Sequence, residues 1–265
     1  MTTRYASAHQ SPNGAGDQRP TADQIVKDEQ LQGKWSDKTV LITGCSSGLG
    51  IETAKSLFET GATLFLTARD LKKAKTALGS LVESERVHLL ELDLNSLASV
   101  RKCADTFLAQ HDRLNILIAN AGIMACPEGR TADGFETQFG TNHLAHFLLI
   151  QLLLPTLVKS ATPEFKSRVV VLASTGHRMG GIHLDNLNLD TMEAWDKDPN
   201  IGKALKSPQQ GAATTVWAAT AHALEGQGGK YLEDCQIASV INTDAASNEL
   251  SYAPYVYNKE KEKAL

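Results

Sequence analysis

Between Lys38 and Ser174 two kinds of segment alternate, and no other feature constrains the fold as much. "TVLIT", "ATLFLTA", "VHLLELDL", "LNILIANAG" and "SRVVVLAS" are short apolar runs. Between them stand "GLGIETAKSLFETG", "LKKAKTALGSLVES", "SLASVRKCADTFLAQH" and "DGFETQFGTNHLAHFLLIQLLLPTL". These carry apolar residues at helical spacing; Leu97, Val100, Ala104, Phe107 and Leu108 share one stripe. Continuous apolar runs of this length are strands buried on both faces. Strands alternating with amphipathic helices make βαβ units. The expected fold is therefore α/β: a Rossmann-like, doubly wound parallel sheet with helices on both faces.

After Ser174 the rhythm stops. "TGHRMGGIHLDNLNLDTMEAWDKDPNIGKALKSPQQG" offers no strand and no long amphipathic helix. "GAATTVWAATAHALEG" then predicts a helix and "GKYLEDCQIASVI" a strand. Residues 1–36 are polar and predict a flexible N-terminal arm, with a short helix over "TADQIVKDEQLQG" capped by Thr21. Residues 37–265 predict a single domain.

"TGCSSGLG" follows the first strand and opens the first helix. Gly44, Gly48 and Gly50 allow a tight turn and a close backbone approach to a pyrophosphate, with free N–H groups and the positive dipole end of the helix facing it. Ser46, Ser47 and Leu49 complete the candidate cofactor loop. The end of the second strand, "LTARD", bears on which dinucleotide fits. A carboxylate there would hold the 2′-hydroxyl of an NAD ribose, but Ala68 occupies that position and Arg69 follows. A guanidinium grips a 2′-phosphate, so the residues favour NADP over NAD; Asp70, one position on, would argue for NAD if the register slipped.

Composition narrows the classes. A net charge of −4 provides no basic footprint for nucleic acid. The four cysteines are scattered with no C-x-x-C pair, and His143 and His146 lack a third ligand at metal-site spacing. "HFLLIQLLLPTLV" is too short for a membrane span and contains Pro155. The expectation is a cytoplasmic protein without a metal, acting on a small molecule.

The ordered set "TGCSSGLG", "LDL", "NAG", "TNHLAHF" and "VVVLAS" resembles the short-chain dehydrogenases/reductases, in particular the fungal and retinol-dehydrogenase-like members. The likeness covers about Lys38 to Asp185 and resumes near Lys206. It implies an oxidoreductase moving hydride between NADP(H) and an alcohol or carbonyl. By that resemblance Asp93 and Leu94 lie at the adenine, and Asn120, Ala121 and Gly122 line the cofactor floor. Asn142 organises a proton relay, and Ser174 hydrogen-bonds the substrate carbonyl. Read singly, Asn142 is equally a surface or capping residue, and Ser174 a partner for local backbone.

Such proteins also use a tyrosine with a lysine four residues later as the proton donor, on the helix after the serine strand. The five tyrosines here are Tyr5, Tyr231, Tyr252, Tyr255 and Tyr257, so that position is empty. No proline is followed by glycine, although the family carries Pro-Gly after its sixth strand. Together these imply an internal deletion near 185–205, of about 30 residues or more, the size of a crossover. Catalytic competence is then in doubt, and a non-catalytic NADP-binding protein or a poorly folding product is the alternative. Oligomeric state stays open. The tail "PYVYNKEK" contains two Tyr-x-x-x-Lys pairs, Tyr255/Lys259 and Tyr257/Lys261, but its charge predicts a solvated end rather than a catalytic pair.

Overall fold

The structure, a computed structural model, describes residues 3–179, 184, 186–188, 206–240 and 251–260. Five parallel strands form its main sheet: β1 (Thr39–Ile42), β2 (Thr63–Ala68), β3 (Val87–Glu91), β4 (Ile116–Ala119) and β5 (Arg168–Val171). Their order is β3-β2-β1-β4-β5, the doubly wound arrangement the alternation predicts. The expected deletion near 185–205 falls almost wholly outside the described residues. Among the described residues the sheet ends at β5.

Crossover connections distribute the helices over the two faces of the sheet. α1 (Ala6–His9) and α2 (Ala22–Asp28) precede the sheet; α3 (Leu49–Phe58) and α4 (Leu71–Leu78) link β1 to β2 and β2 to β3. With Val40, Ile42 and Leu64 they build one apolar layer. α5 (Leu97–Gln110) and α6 (Thr137–Ser160) build the other, over Leu41, Phe65 and Leu117. α7 (Pro208–Gly211) and α8 (Ala213–Thr220) return to the first layer, where Val216 and Trp217 are buried.

Three expectations need correction. The N-terminal residues are not a free arm: Tyr5, Ile25, Val26 and Trp35 are buried in the first layer, and α2 packs on α8. Their anchor is Gln210, a buried amide whose Oε1 accepts the Gly16 N–H at 2.8 Å. Its Nε2 donates to the Asp17 and Arg19 carbonyls at 3.0 and 3.1 Å. The Arg19 guanidinium hydrogen-bonds Asp17 and holds that carboxyl well below the usual range. The polar composition that suggested disorder is consumed in internal hydrogen bonds.

"GKYLEDCQIASVI" is not one strand. It is a hairpin of β6 (Leu232–Glu233) and β7 (Gln236–Ile237), turned at Asp234 and Cys235 with φ of 52° and 56°. Two positive φ values in a two-residue loop match the twist of a hairpin. Non-glycine residues tolerate them here because Asp234 is held by Lys206, and the Cys235 N–H by Thr214 Oγ1. The tail is a solvated end only in part: Pro254, Tyr257, Lys259 and Glu260 are exposed, while the residues leading into it are held. Ser239–Val240 (β8) pairs with Ser251–Tyr252 (β9), and Arg178 donates to the Ser251 carbonyl at 2.8 Å.

Candidate active site

The site lies at the carboxyl ends of β1 and β4, where the strand order reverses. Gly44 ends the first turn at φ 76°, and a Cβ there would stand 2.8 Å from Ala121. Gly48, at φ 61°, caps α3 with no side-chain cap, and a Cβ there would meet nothing within 4 Å. The first turn of α3 thus has no side-chain cap; its Ile51 N–H returns to the Gly48 carbonyl, and the Leu49 and Gly50 amides remain for an anion. Gly50 packs so closely under Asn120 that its missing Cβ would lie 2.8 Å from Nδ2. Ser47 is exposed, Ser46 and Leu49 are half-buried, and Leu49 touches α7 at Gly211.

Below this loop a buried hydrogen-bond hub ties strands to helix. Thr43 Oγ1 accepts the Asn120 and Ala121 N–H groups at 3.0 and 2.9 Å. Its hydroxyl proton then goes to His146 Nε2 at 2.9 Å, which leaves Nδ1–H to donate to the Asn142 carbonyl at 3.0 Å. Burial pushes the His146 pKa down and keeps the neutral tautomer. Asn120 Nδ2 donates to the Thr43 carbonyl at 2.7 Å, whereas its Oδ1 is buried without a protein partner. An orphan acceptor beside uncapped helix amides fits a polar ligand there.

Asn142 sits where α6 loosens into a π turn over Gly140–Leu144. Its Nδ2 donates to the Ile123 carbonyl and its Oδ1 accepts the Ile123 N–H, both at 2.9 Å. This two-point grip holds the chain after Gly122, and π turns of this kind recur at functional sites. The start of α6 is fixed by Glu136, whose carboxylate accepts the Gln138 and Phe139 N–H groups.

Ser174 follows β5 and is exposed; its Oγ accepts the Gly176 N–H at 3.1 Å. The His177 ring bonds the Ser174 carbonyl through Nδ1 at 2.6 Å and accepts the Ala253 N–H through Nε2 at 3.3 Å. Tyr231 leans on that ring at 4.9 Å, and the Tyr257 hydroxyl accepts the Tyr231 N–H at 2.9 Å. The root of the tail therefore packs beside the serine turn, which the sequence did not indicate, through Ala253 and Tyr257 rather than through a Tyr–Lys pair at Ser174. Burial raises the Tyr231 pKa, with Glu233 adding to it, the wrong direction for a proton donor.

At the other end Arg69 is exposed after β2, and Ala68 is buried. The Asp70 carboxylate is committed as the N-cap of α4, accepting the Lys73 N–H at 2.9 Å. Asp93 Oδ1 accepts the Asn95 N–H at 3.0 Å, and Leu94 belongs to the buried second layer. The structure thus brings Gly44, Gly50, Asn120, Ala121, Gly122 and Asn142 close together, with Gly48 at the exposed start of α3. Leu94 packs in the core, and Leu49 also borders a second cavity along β5. Thr43 and His146 were missed. The i, i+4 spacing of Asn142 and His146 was the available signal for the histidine; Thr43 had none. His143 does not join His146 but stacks between Phe139 and Phe147. Burial pushes the thiols of Cys45, Cys103 and Cys235 up to about 12, which removes them as nucleophiles.

A family described as short chain dehydrogenase matches residues 38–186. The chain is 40% identical over 315 positions to the short-chain dehydrogenase/reductase prx1 of Penicillium roqueforti, covering 99% of this chain and 92% of the relative. It is 34% identical over 255 positions to retinol dehydrogenase 11 of Mus musculus, covering 77% and 79%. A crystal structure of an uncharacterized protein from Mycobacterium Paratuberculosis superposes with a TM-score of 0.54 at 34% identity, over 80% of this chain and 69% of that one. The chain belongs to the short chain dehydrogenase family, a family of oxidoreductases.

The alignment lengths add one fact. The fungal alignment runs over 315 positions against the 265 residues of this chain, so at least 50 positions face a gap here. The mouse alignment runs over 255 positions while taking in 77% of those residues, again about 50 more than the chain supplies.

Proposed function

We propose that this chain binds NADP(H) in its intact nucleotide half and that its hydride chemistry on an alcohol or carbonyl is crippled by the loss of its proton donor. Asp70 carries the cofactor preference. Its Oδ1 is engaged by the α4 cap, which draws this carboxylate toward the helix start, while the neighbouring Arg69 is exposed where a 2′-phosphate would lie. The α3 amides would hold the pyrophosphate, with Ser46 and Ser47 beside it, and Asp93 would lie at the adenine. Asn120, Ala121 and Gly122 form the floor, where the orphan Asn120 Oδ1 finds a partner.

A bound nicotinamide supplies or takes up the hydride. The residues of this chain do the rest: Ser174 Oγ accepts from Gly176, so its own O–H is free to polarise a carbonyl oxygen. Asn142 holds the loop after Gly122 in place. A general acid is worth about 10²–10⁴ in rate, and turnover should fall by that order relative to an intact family member. One contact favours residual catalysis: the tail's Ala253 amide reaches His177 beside Ser174, which brings tail phenols to this end of the sheet. Tyr257→Phe abolishing all turnover would support that second reading.

The test is a titration with NADPH and with NADH, following nicotinamide fluorescence. Tighter binding of NADPH that Arg69→Ala weakens about tenfold, leaving NADH unchanged, is the expected result. Equal affinities would refute the cofactor assignment. Reduction of simple aldehydes at a rate ordinary for an enzyme, about 1–10³ per second, would refute the loss of competence.

A further inference from the structure

Among the described residues the sheet ends at β5, and its crossovers define what one further step would add. The links from β3 to β4 through α5 and from β4 to β5 through α6 step in one direction, and both helices lie over Leu41 and Leu117. The links through α3 and α4 step the other way and lie on the opposite face. One more right-handed step beyond β5 would set a strand along its outer edge and a helix on the α5/α6 face.

The surface is incomplete at that place. Val170 and Leu172 pack against the α3/α8 layer, so Val169 and Val171 point to the α5/α6 face, where they are 39% and 57% exposed. The Arg168 and Leu172 amides donate to β4 at Asn115 and Ala119. By alternation the N–H and C=O groups of Val169 and Val171 point away from β4. A cavity of about 470 Å³ lies along β5, between it, α8 and residues 226–234. In the same helical layer α6 exposes Phe147, Leu154 and Val158. Parallel strands are ordinarily covered on both faces, and an open edge is a template for another strand. The fungal and mouse relatives align over about 50 more positions than this chain fills, enough for one helix and one strand.

We propose that the outer edge of β5, with Val169 and Val171, is a docking surface for a helix–strand segment supplied in trans by a longer member of the same family. The added strand pairs with the outward amides and carbonyls of Val169 and Val171. Its helix covers their side chains. This inference rests on the sheet edge and is independent of the cofactor reading.

The probe is the stretch of the Penicillium roqueforti relative that lies opposite the gap, carried on a soluble fusion and titrated into the full chain. Saturable binding is expected, with the Val169 and Val171 amides slowed in hydrogen exchange. Val171→Pro, which removes an outward N–H and spares the bonds to β4, should weaken binding at least tenfold, as should Val169→Lys. Both variants should keep the melting temperature of the parent. Absence of saturable binding overturns the proposal, as does equal binding by the variants. So does exchange of these amides already slow in the free chain, which would mean its own residues cover the edge. A dimer of the chain alone that Val171→Pro dissociates would assign the edge to a second copy and overturn it equally.

Discussion

β1 and β5 are four-residue parallel strands of similar composition, Thr-Val-Leu-Ile and Arg-Val-Val-Val, with opposite fates. Every residue of β1 is buried, because β2 and β4 flank it and helices cover both faces. Among the described residues β5 pairs with β4 alone, and its residues alternate between half-buried and exposed. Strand character is the same in both; neighbours make the difference. The contrast extends to chemistry. The ends of β1 and β4 converge on a closed network of Thr43, Asn120, Ala121 and His146. The end of β5 presents an exposed Ser174 whose partners are Gly176 and His177 of its own turn, with the tail reaching only His177.

The largest expected effect tests that contrast directly. Leu41→Ala in β1 should cost about 2–5 kcal/mol, through lost transfer energy and a residual cavity. Val171→Ala in β5 should stay within about 0.5 kcal/mol. Urea unfolding of the two variants measures both, and equal costs would mean that β5 is as well covered as β1.

Next is Gln210→Ala, which strands the Gly16 N–H and the Asp17 and Arg19 carbonyls that its amide satisfies. A loss of about 1–3 kcal/mol is expected, with faster proteolysis between residues 13 and 19. A cleavage pattern identical to the parent would show that the N-terminal residues are not held by this amide.

His146 provides a pH-dependent distinction between the two ends of the site. Its folded pKa lies below the unfolded value of about 6.5, so at mildly acidic pH the unfolded chain binds the extra proton. Stability should therefore be full above pH ~6.5 and decline as pH falls through and below it. His88 and His143 shift in the same direction, chiefly through burial, so the informative comparison is with His146→Asn. The variant should show a flatter stability profile from about pH 5 to 7. An unchanged slope would remove His146 from the proton-linked groups.

Tyr257→Phe should have the smallest effect. It deletes the acceptor of the Tyr231 N–H, worth about 0.5–1.5 kcal/mol of local tail stability, and should leave NADPH affinity untouched. Weakened NADPH binding in this variant would tie the tail to the nucleotide half, against the division drawn between β1 and β5.

Much of this molecule was legible in one dimension. The strands and helices from Lys38 to Ser174 followed from periodicity, and the cofactor loop from glycines placed between a strand and a helix. Thr21 as the cap of α2 was likewise readable, since its hydroxyl accepts the Gln24 N–H three residues on. The N-terminal "arm" misled because polar residues satisfied by a distant amide look the same in sequence as polar residues facing water. The Asp234–Cys235 hairpin was missed because its residues lack the usual turn composition and are held by Lys206 and Thr214 instead.

The sequence by itself determined the βαβ alternation, the glycine loop and the missing tyrosine, because each is a property of adjacent residues or of a simple count. Tertiary structure alone decided that Thr43 meets His146 across 103 positions and that Gly16 meets Gln210 across 194. It decided, too, that Asp70 caps α4 beside an exposed Arg69. Local patterns specify which element forms; which side chains then share a hydrogen bond depends on how the packed layers bring distant segments together.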